Sequence, residues 1–96
     1  MKSVGDFIFR GIERKDGGNF INEKGETISY KPSFKLKVDE EIDNKTYERI
    51  FKIPETNVTL ADDFRVLDNY TKIRIQFDVQ IYGSRVNLVP EDVQVI

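Results

Sequence analysis

The chain of 96 residues contains no histidine and no cysteine, the side chains that most often serve as general base, metal ligand and thiol nucleophile. Its serines therefore lack an imidazole to activate them. Asp39, Glu41 and Asp43 have the first three spacings of a calcium-binding EF-hand loop, but Asn44 stands where that loop needs glycine and Ile50 where it needs glutamate. We therefore predict no catalytic residue, no metal site and no cofactor, and a domain that is not an enzyme.

Basic and aromatic side chains form the remaining pattern that could do chemistry. Lys35 and Lys37 lie two residues apart, which in a β-strand places them on one face about 7 Å from each other. Cations that follow a phosphate backbone, mixed with aromatic rings that stack on bases, are typical of single-strand binding. The predicted binding residues are Phe20, Lys31, Lys35, Lys37, Tyr47, Arg49, Tyr82 and Arg85. Lysines on an exposed strand also protect a sheet edge from aggregation, so each residue alone has a structural explanation as well.

Charge is unevenly distributed along the chain. The net charge is −2, which predicts weak long-range attraction to a polyanion. Residues 1–37 nevertheless carry eight basic and five acidic side chains, whereas residues 38–70 carry four basic and nine acidic ones. Because salt screens exposed charges over about 8 Å, a local basic strip would decide binding, and binding would be strongly salt-sensitive.

The composition predicts one domain over residues 1–96, since 39% hydrophobic residues are enough for one compact core. No apolar stretch approaches the roughly 18–20 residues of a membrane span. The first residues also lack the apolar run of a signal peptide. We therefore expect a cytoplasmic protein without a membrane partner.

Alternation of apolar and polar residues predicts β-strands through most of the chain. The five predicted strands cover residues 4–14, 27–40, 46–53, 72–81 and 85–89, and Pro90 is expected to interrupt the chain before residues 92–96. Apolar residues of the second strand all have even numbers and are expected to share the buried face: Ile28, Tyr30, Phe34, Leu36 and Val38. Pro32 removes a ladder N–H from that strand, which predicts an edge position or a bulge there.

A single short helix is predicted between the third and fourth strands. Thr59 followed by Asp62 forms a capping box with aspartate in place of the preferred glutamate or glutamine. Leu60, Phe64 and Leu67 follow as one apolar stripe. Asn69 is expected to end the helix in the left-handed conformation.

The predicted order is β-β-β-α-β-β with a long second strand. That order is typical of a five-stranded Greek-key barrel of the OB type, which binds oligonucleotides or oligosaccharides on strands two and three and on the loops that join strands 1–2 and 4–5. We therefore predict a mainly β fold, a five-stranded OB-like barrel with one short helix between strands three and four. An SH3-like barrel or a small open α+β sheet has nearly the same pattern and stays an alternative.

Two segments resemble small single-stranded DNA-binding proteins of phages and conjugative elements. Tyr82-Gly83-Ser84 after alternating residues, followed by Leu88-Val89-Pro90, is similar to the aromatic-Gly-Ser turn and Leu-Val-Pro close of the filamentous-phage gene-five type, which is an OB fold. Lys31-Pro32-Ser33-Phe34 resembles that family's approach to its second long strand. The resemblance covers about a third of the chain. The gap before Leu88 is shorter here than in that family, and the acidic balance is a further departure.

The resemblance implies a homodimer that coats single strands cooperatively and largely without sequence preference. It also implies a role in phage or mobile-element DNA replication or transfer, with replication or transfer proteins as partners. Tyr30, Tyr47 and Tyr82 would be the corresponding aromatics. The residues and the resemblance together predict non-catalytic binding of single-stranded DNA, with the lysines and arginines on phosphates and Phe20, Tyr47 and Tyr82 on bases.

A different class of function stays open beside it. The C-terminal residues Val93, Val95 and Ile96 alternate like a strand that could add to another chain's sheet, as in a protein-interaction or structural accessory subunit. Oligosaccharide binding by the same barrel face is less favoured because the chain has no tryptophan.

Overall fold

A computed structural model describes residues 1–96 of the chain. Its elements are β1 (Lys2–Lys15), β2 (Gly18–Ile21), β3 (Thr27–Tyr30), β4 (Ser33–Ile42), β5 (Lys45–Pro54), α1 (Val58–Arg65), β6 (Lys72–Tyr82) and β7 (Arg85–Val95). The prediction of a mainly β chain with one short helix is therefore confirmed. The strands are longer than predicted at most ends, because they continue into exposed hairpins where no burial pattern marks them.

Five strands form one antiparallel sheet in the order β5-β4-β1-β6-β7. β1 lies at its centre because its first half pairs with β6 and its second half with β4. The two edge strands, β5 and β7, approach each other but are not joined by a hydrogen-bonded ladder. The sheet is therefore open, and the prediction of a closed barrel is wrong in that respect.

One face of the sheet carries the hydrophobic core. The core consists of twelve buried residues: Phe7, Phe9, Phe34, Leu36, Val38, Phe51, Ile53, Leu60, Ala61, Phe64, Ile73 and Ile75. The rings of Phe7, Phe51 and Phe77 meet edge to face with centroids 5.2 to 6.1 Å apart, the arrangement that the ring quadrupoles favour. No buried residue is polar or charged, so the lysines and arginines are left to the other surfaces.

A bulge in β1 changes which of its residues face the core. Phe9 pairs with Val38 and Gly11 with Lys37, so Arg10 is the extra residue. Gly11 has a φ of 148°, a backbone conformation that favours glycine. After the bulge the even-numbered residues of β1 turn inward, and Ile12 packs against the core. Arg10 remains on the outer face, opposite the core.

The predicted second strand is divided at Pro32. Residues 27–30 form β3, which pairs with β2 in a separate two-stranded hairpin, whereas β4 begins at Ser33 in the main sheet. Because proline donates no ladder hydrogen bond, the chain can leave one sheet and enter the other at this point. Ile28 and Tyr30 are exposed as a result, and the prediction that they are buried is wrong.

Helix α1 covers one end of the core. Leu60 and Phe64 are buried and Leu67 packs against the core, so the predicted apolar stripe is confirmed. The predicted cap is wrong: the side-chain oxygen of Asn57 accepts a hydrogen bond from the Leu60 N–H at 3.4 Å, and Thr59 lies inside the helix. The prediction that Asn69 is left-handed is also wrong, because Tyr70 is the residue with the positive φ.

The C-terminal strand is continuous where an interruption was predicted. β7 runs through the buried Pro90, and the register with β6 shifts by one residue at Glu91. The bulge accommodates the missing proline N–H. Val93 and Val95 pair with Ile75 and Ile73, so this segment is already part of the sheet and leaves only one edge unpaired.

Candidate nucleic-acid interface

Lys35 and Lys37 project from the face of β4 opposite the core, because the residues that alternate with them are buried. Lys52 of β5 is the cross-strand partner of Lys35. On the other side, Glu13 and Gly11 of β1 are the partners of Lys35 and Lys37. The sheet register thus brings three lysines and one glutamate together on its outer face.

A pocket of about 430 Å³ extends this lysine group to the open edge of the sheet. It lies where the end of β5 and the segment between β3 and β4 meet the β6–β7 hairpin. The polar side chains that line it are Lys31, Ser33, Lys52, Glu55, Thr56, Gln80, Tyr82 and Asn87. Two of the predicted site residues, Lys31 and Tyr82, are therefore in one site, and Lys52 connects them to Lys35.

Tyr82 presents its ring at the rim of this pocket. Its hydroxyl donates a hydrogen bond to Oε1 of Gln80 at 3.1 Å, which fixes the polar end of the side chain. The residue is still 61% exposed. Arg85 is its cross-strand partner in the hairpin, whose turn contains Gly83 at a φ of 60°. An aromatic face and a guanidinium are thus available side by side.

The basic side chains divide into those engaged by carboxylates and those that are not. Eight of the fifteen make no salt bridge: Lys24, Lys31, Lys35, Lys37, Lys45, Lys52, Lys72 and Arg85. Among them Lys31, Lys35, Lys37 and Lys52 are contiguous through the pocket and the β4–β5 register. We call these four residues the lysine strip.

Two carboxylates lie beside the strip. Glu55 lines the pocket with Lys31 and Lys52 and is paired with Arg14 at 3.0 Å, whereas Glu13 lies next to Lys35. Lys15 donates to Glu13 at 3.1 Å. This hydrogen bond is the main cause that lowers the pKa of the Glu13 carboxyl, with further contributions from the charges of Lys15, Lys35 and Lys37. The carboxyl is thus in a positive local field. Because Lys15 compensates its charge, the strip keeps a net positive balance.

Acidic residues end the strip on one side. Beyond Lys37, the outward residues of β4 are Asp39 and Glu41, and Glu48 of β5 lies opposite Asp39. Only Asp39 is compensated, by Arg10 at 2.6 Å. A polyanion on this face is therefore confined to the half that carries the lysines.

Tyr47 and Arg49 do not lie with the lysine strip. They share the core side of β5 with the buried Phe51. Arg49 donates from Nε to Glu40 at 3.1 Å, and its guanidinium lies 5.4 Å from the centre of the Tyr47 ring. The structure therefore separates these two predicted site residues from the other cations.

Phe20 lies on the β2–β3 hairpin, which Lys31 connects to the strip. Its cross-strand partner is Ile28, and its ring centre is 6.2 Å from that of Tyr30. Phe20 and Tyr30 are each 52% exposed. Tyr30 passes over Gly18, where an added Cβ would lie 2.8 Å from the tyrosine hydroxyl. The hairpin thus presents an aromatic surface near one end of the strip.

Lys52 lies in this site but is not one of the eight predicted binding residues. Because Lys52 alternates with the apolar residues Phe51 and Ile53, its exposure could be predicted from the sequence. Its position opposite Lys35 depends on the β4–β5 register, which one strand's pattern does not contain.

The chain matches no protein-family model and no curated protein. None of its helices has the length and apolar character needed to span a membrane.

Proposed function

We propose that this protein binds single-stranded DNA without catalysis and largely without sequence preference. The observation that carries the proposal is the lysine strip, four contiguous lysines that make no salt bridge and that end at a pocket lined by Tyr82. Lys31, Lys35, Lys37, Lys52 and Arg85 would neutralise phosphates. Tyr82, with Phe20 on the neighbouring hairpin, would stack on bases.

We also propose that the architecture is OB-like. The central β1 pairs on one side with β4 and then β5, and on the other with β6 and then β7. The approach of β5 to β7 supports this assignment, although the two strands form no ladder. In such a fold the β2–β3 hairpin belongs to the loop after strand one, and the β6–β7 turn to the loop after strand four. These are the loops that contact oligonucleotides.

The overall net charge of −2 is compatible with this function because screening limits each charge to its neighbourhood. Single-strand binding loses affinity with salt at a log–log slope of about 0.7 per neutralised phosphate. The four strip lysines and Arg85 would together give a slope of about 3.5. Stacking on an aromatic adds roughly 1–3 kcal/mol per base and depends little on salt.

The test is fluorescence anisotropy with a labelled oligo-dT, titrated with salt from about 50 mM upward. Lys35→Ala is expected to weaken binding and to lower the slope by about 0.7. Lys45→Ala is the matched control, since Lys45 is also an unpaired lysine but lies at the tip of the β4–β5 hairpin, outside the strip. Equal effects of the two substitutions, or no binding at low salt, would refute the proposal.

The biological setting is part of the proposal and follows from the family resemblance. We propose a cytoplasmic homodimer that coats single strands during phage or mobile-element DNA replication or transfer. Cooperative coating predicts that long poly-dT binds with a sigmoidal isotherm while a short oligo-dT does not. Sedimentation of the free protein tests the dimer independently of DNA.

A protein-interaction module is the second candidate, and the open sheet is the observation that favours it. β5 and β7 each leave one edge without a ladder partner, and such edges can accept a strand from another chain. A partner bound in this way would stay bound at high salt and would depend on Val95 and Ile96. Salt-sensitive binding that depends on the strip would instead favour DNA.

A further inference from the structure

Tyr70 stands out in the loop between α1 and β6. It has a φ of 71°, a conformation that bulky residues rarely adopt. Its N–H donates to the carbonyl of Phe9 at 2.7 Å, and the Phe9 N–H donates to the carbonyl of Thr71 at 2.9 Å. These backbone bonds fix the loop against β1. Tyr70 is nevertheless 66% exposed, so this constraint does not serve to bury the residue.

The Tyr70 ring rests on Arg10, the extra residue of the β1 bulge. The guanidinium lies 4.6 Å from the ring centre and donates to Asp39 at 2.6 Å. Arg10 is therefore held between a carboxylate and an aromatic ring, and its stacking supports one face of Tyr70. Because Tyr70 is exposed and its backbone is held against β1, its ring forms a pre-oriented aromatic surface on the outer side of the sheet.

Arg10 also adjoins the end of the lysine strip. Together with Gly11, Glu13, Lys35 and Lys37 it lines a groove of about 220 Å³. An added Cβ at Gly11 would meet no atom within 4 Å, so the groove is open between Arg10 and Lys37. Ser33, which lines the Tyr82 pocket, is four residues from Lys37, a distance of about 13 Å along β4.

We propose that Tyr70 is a base-stacking residue that holds the single strand at the end of the lysine strip opposite Tyr82. The proposal deepens the proposed function and rests on it. The strand would pass from the pocket along the lysines and end on Tyr70, beyond which the uncompensated carboxylates of Glu41 and Glu48 repel further phosphates. This path includes the stretch of about 13 Å along β4 from Ser33 at the pocket to Lys37 at the groove.

The first test compares Tyr70→Ala with the wild type in the oligo-dT anisotropy titration. Loss of one stacked base is expected to weaken binding roughly 5- to 150-fold at every salt concentration. The log–log salt slope is expected to stay unchanged, because Tyr70 neutralises no phosphate, whereas Lys37→Ala is expected to lower it. Tyr70→Phe keeps the ring and is expected to bind as the wild type does.

A fluorescence test gives a second readout that does not depend on affinity. The chain contains no tryptophan, so Tyr70→Trp introduces a single reporter that a stacked base would quench. Tyr47 supplies the matched controls Tyr47→Ala and Tyr47→Trp, since it is also an exposed tyrosine beneath an arginine but lies on the opposite side of the sheet. Neither control is expected to show weaker binding or quenching.

The outcomes separate this inference from the function on which it rests. Quenching of Tyr70→Trp by oligo-dT together with weaker binding of Tyr70→Ala supports it. Lysine-dependent binding of oligo-dT with no quenching and no loss in Tyr70→Ala overturns the role of Tyr70 and leaves the proposed function standing. No binding of oligo-dT by the wild type overturns both.

Discussion

Lys52→Glu is expected to make the protein more stable and a weaker DNA binder at once. In the wild type, Lys35 and Lys52 are direct cross-strand partners on the outer face of β4 and β5. Like charges at such positions destabilise a sheet, whereas opposite charges stabilise it, by roughly 0.2–1 kcal/mol in each case. The substitution replaces the first arrangement with the second, so its effects on folding and on binding have opposite signs.

The expected change in the free energy of unfolding is the sum of two contributions, the lost repulsion and the new attraction. Removing the repulsion and adding an attraction together give about 1 kcal/mol, which corresponds to a Tm rise of roughly 4–8 °C in a domain of this size. The rise is expected to shrink in high salt, because screening acts on both terms. The oligo-dT salt slope is expected to fall by about 0.7 for the lost cation, and further for the added anion.

Two measurements on the same variant decide the question. Thermal unfolding at low and high salt gives the change in stability, and oligo-dT anisotropy gives the change in binding. Lys45→Glu is the control, because the cross-strand partner of Lys45 is Ile42 rather than a lysine. A Tm that falls, or that rises equally in the control, contradicts the like-charge argument. Unchanged DNA affinity removes Lys52 from the interface.

Three further predictions concern single residues. Glu13→Gln removes the carboxylate next to Lys35 and is expected to tighten oligo-dT binding several-fold at low salt, measured by anisotropy. The hydrogen bond from Arg74 lowers the pKa of Asp6, so this carboxylate stabilises the fold above its unfolded-state pKa, near 3.8, and loses that effect as pH falls through the lower folded-state value. Urea titrations are therefore expected to show a smaller loss of stability in Asp6→Asn than in the wild type below about pH 4. Asn57→Ala is expected to cost roughly 0.5–1 kcal/mol in urea unfolding and Thr59→Ala much less, because Asn57 caps α1; the reverse order would contradict this cap.

The like-charge pair illustrates a general feature of this surface. Lys35 and Lys52 face one another without a carboxylate between them, while elsewhere on the sheet Arg74 and Arg10 have acidic partners. This contrast supports the proposal that the strip is a binding surface.

Much of the local structure could be predicted from residue patterns. Alternation along β4 and β6 placed Phe34, Leu36 and Ile75 in the core and Lys35 outside it, because side chains of a strand point to opposite faces in turn. The apolar stripe of α1 could likewise be predicted, because apolar residues that share one face of a helix recur with a period of about 3.6 residues. The residue pattern did not predict where the chain passes from one sheet to another. Pro32 indicated an irregularity, but it did not indicate that β3 pairs with β2 outside the main sheet.

The sequence by itself determined that this protein has one apolar sheet face, a short helix against it and no residues for catalysis by imidazole or thiol. Only the tertiary structure decided which basic and aromatic side chains lie together. Lys52 joins Lys35 through a register, Tyr82 joins Lys31 across the open edge, and Arg49 is turned to the other side. Each of these positions depends on pairing between residues distant along the chain, and a local pattern carries no information about that pairing.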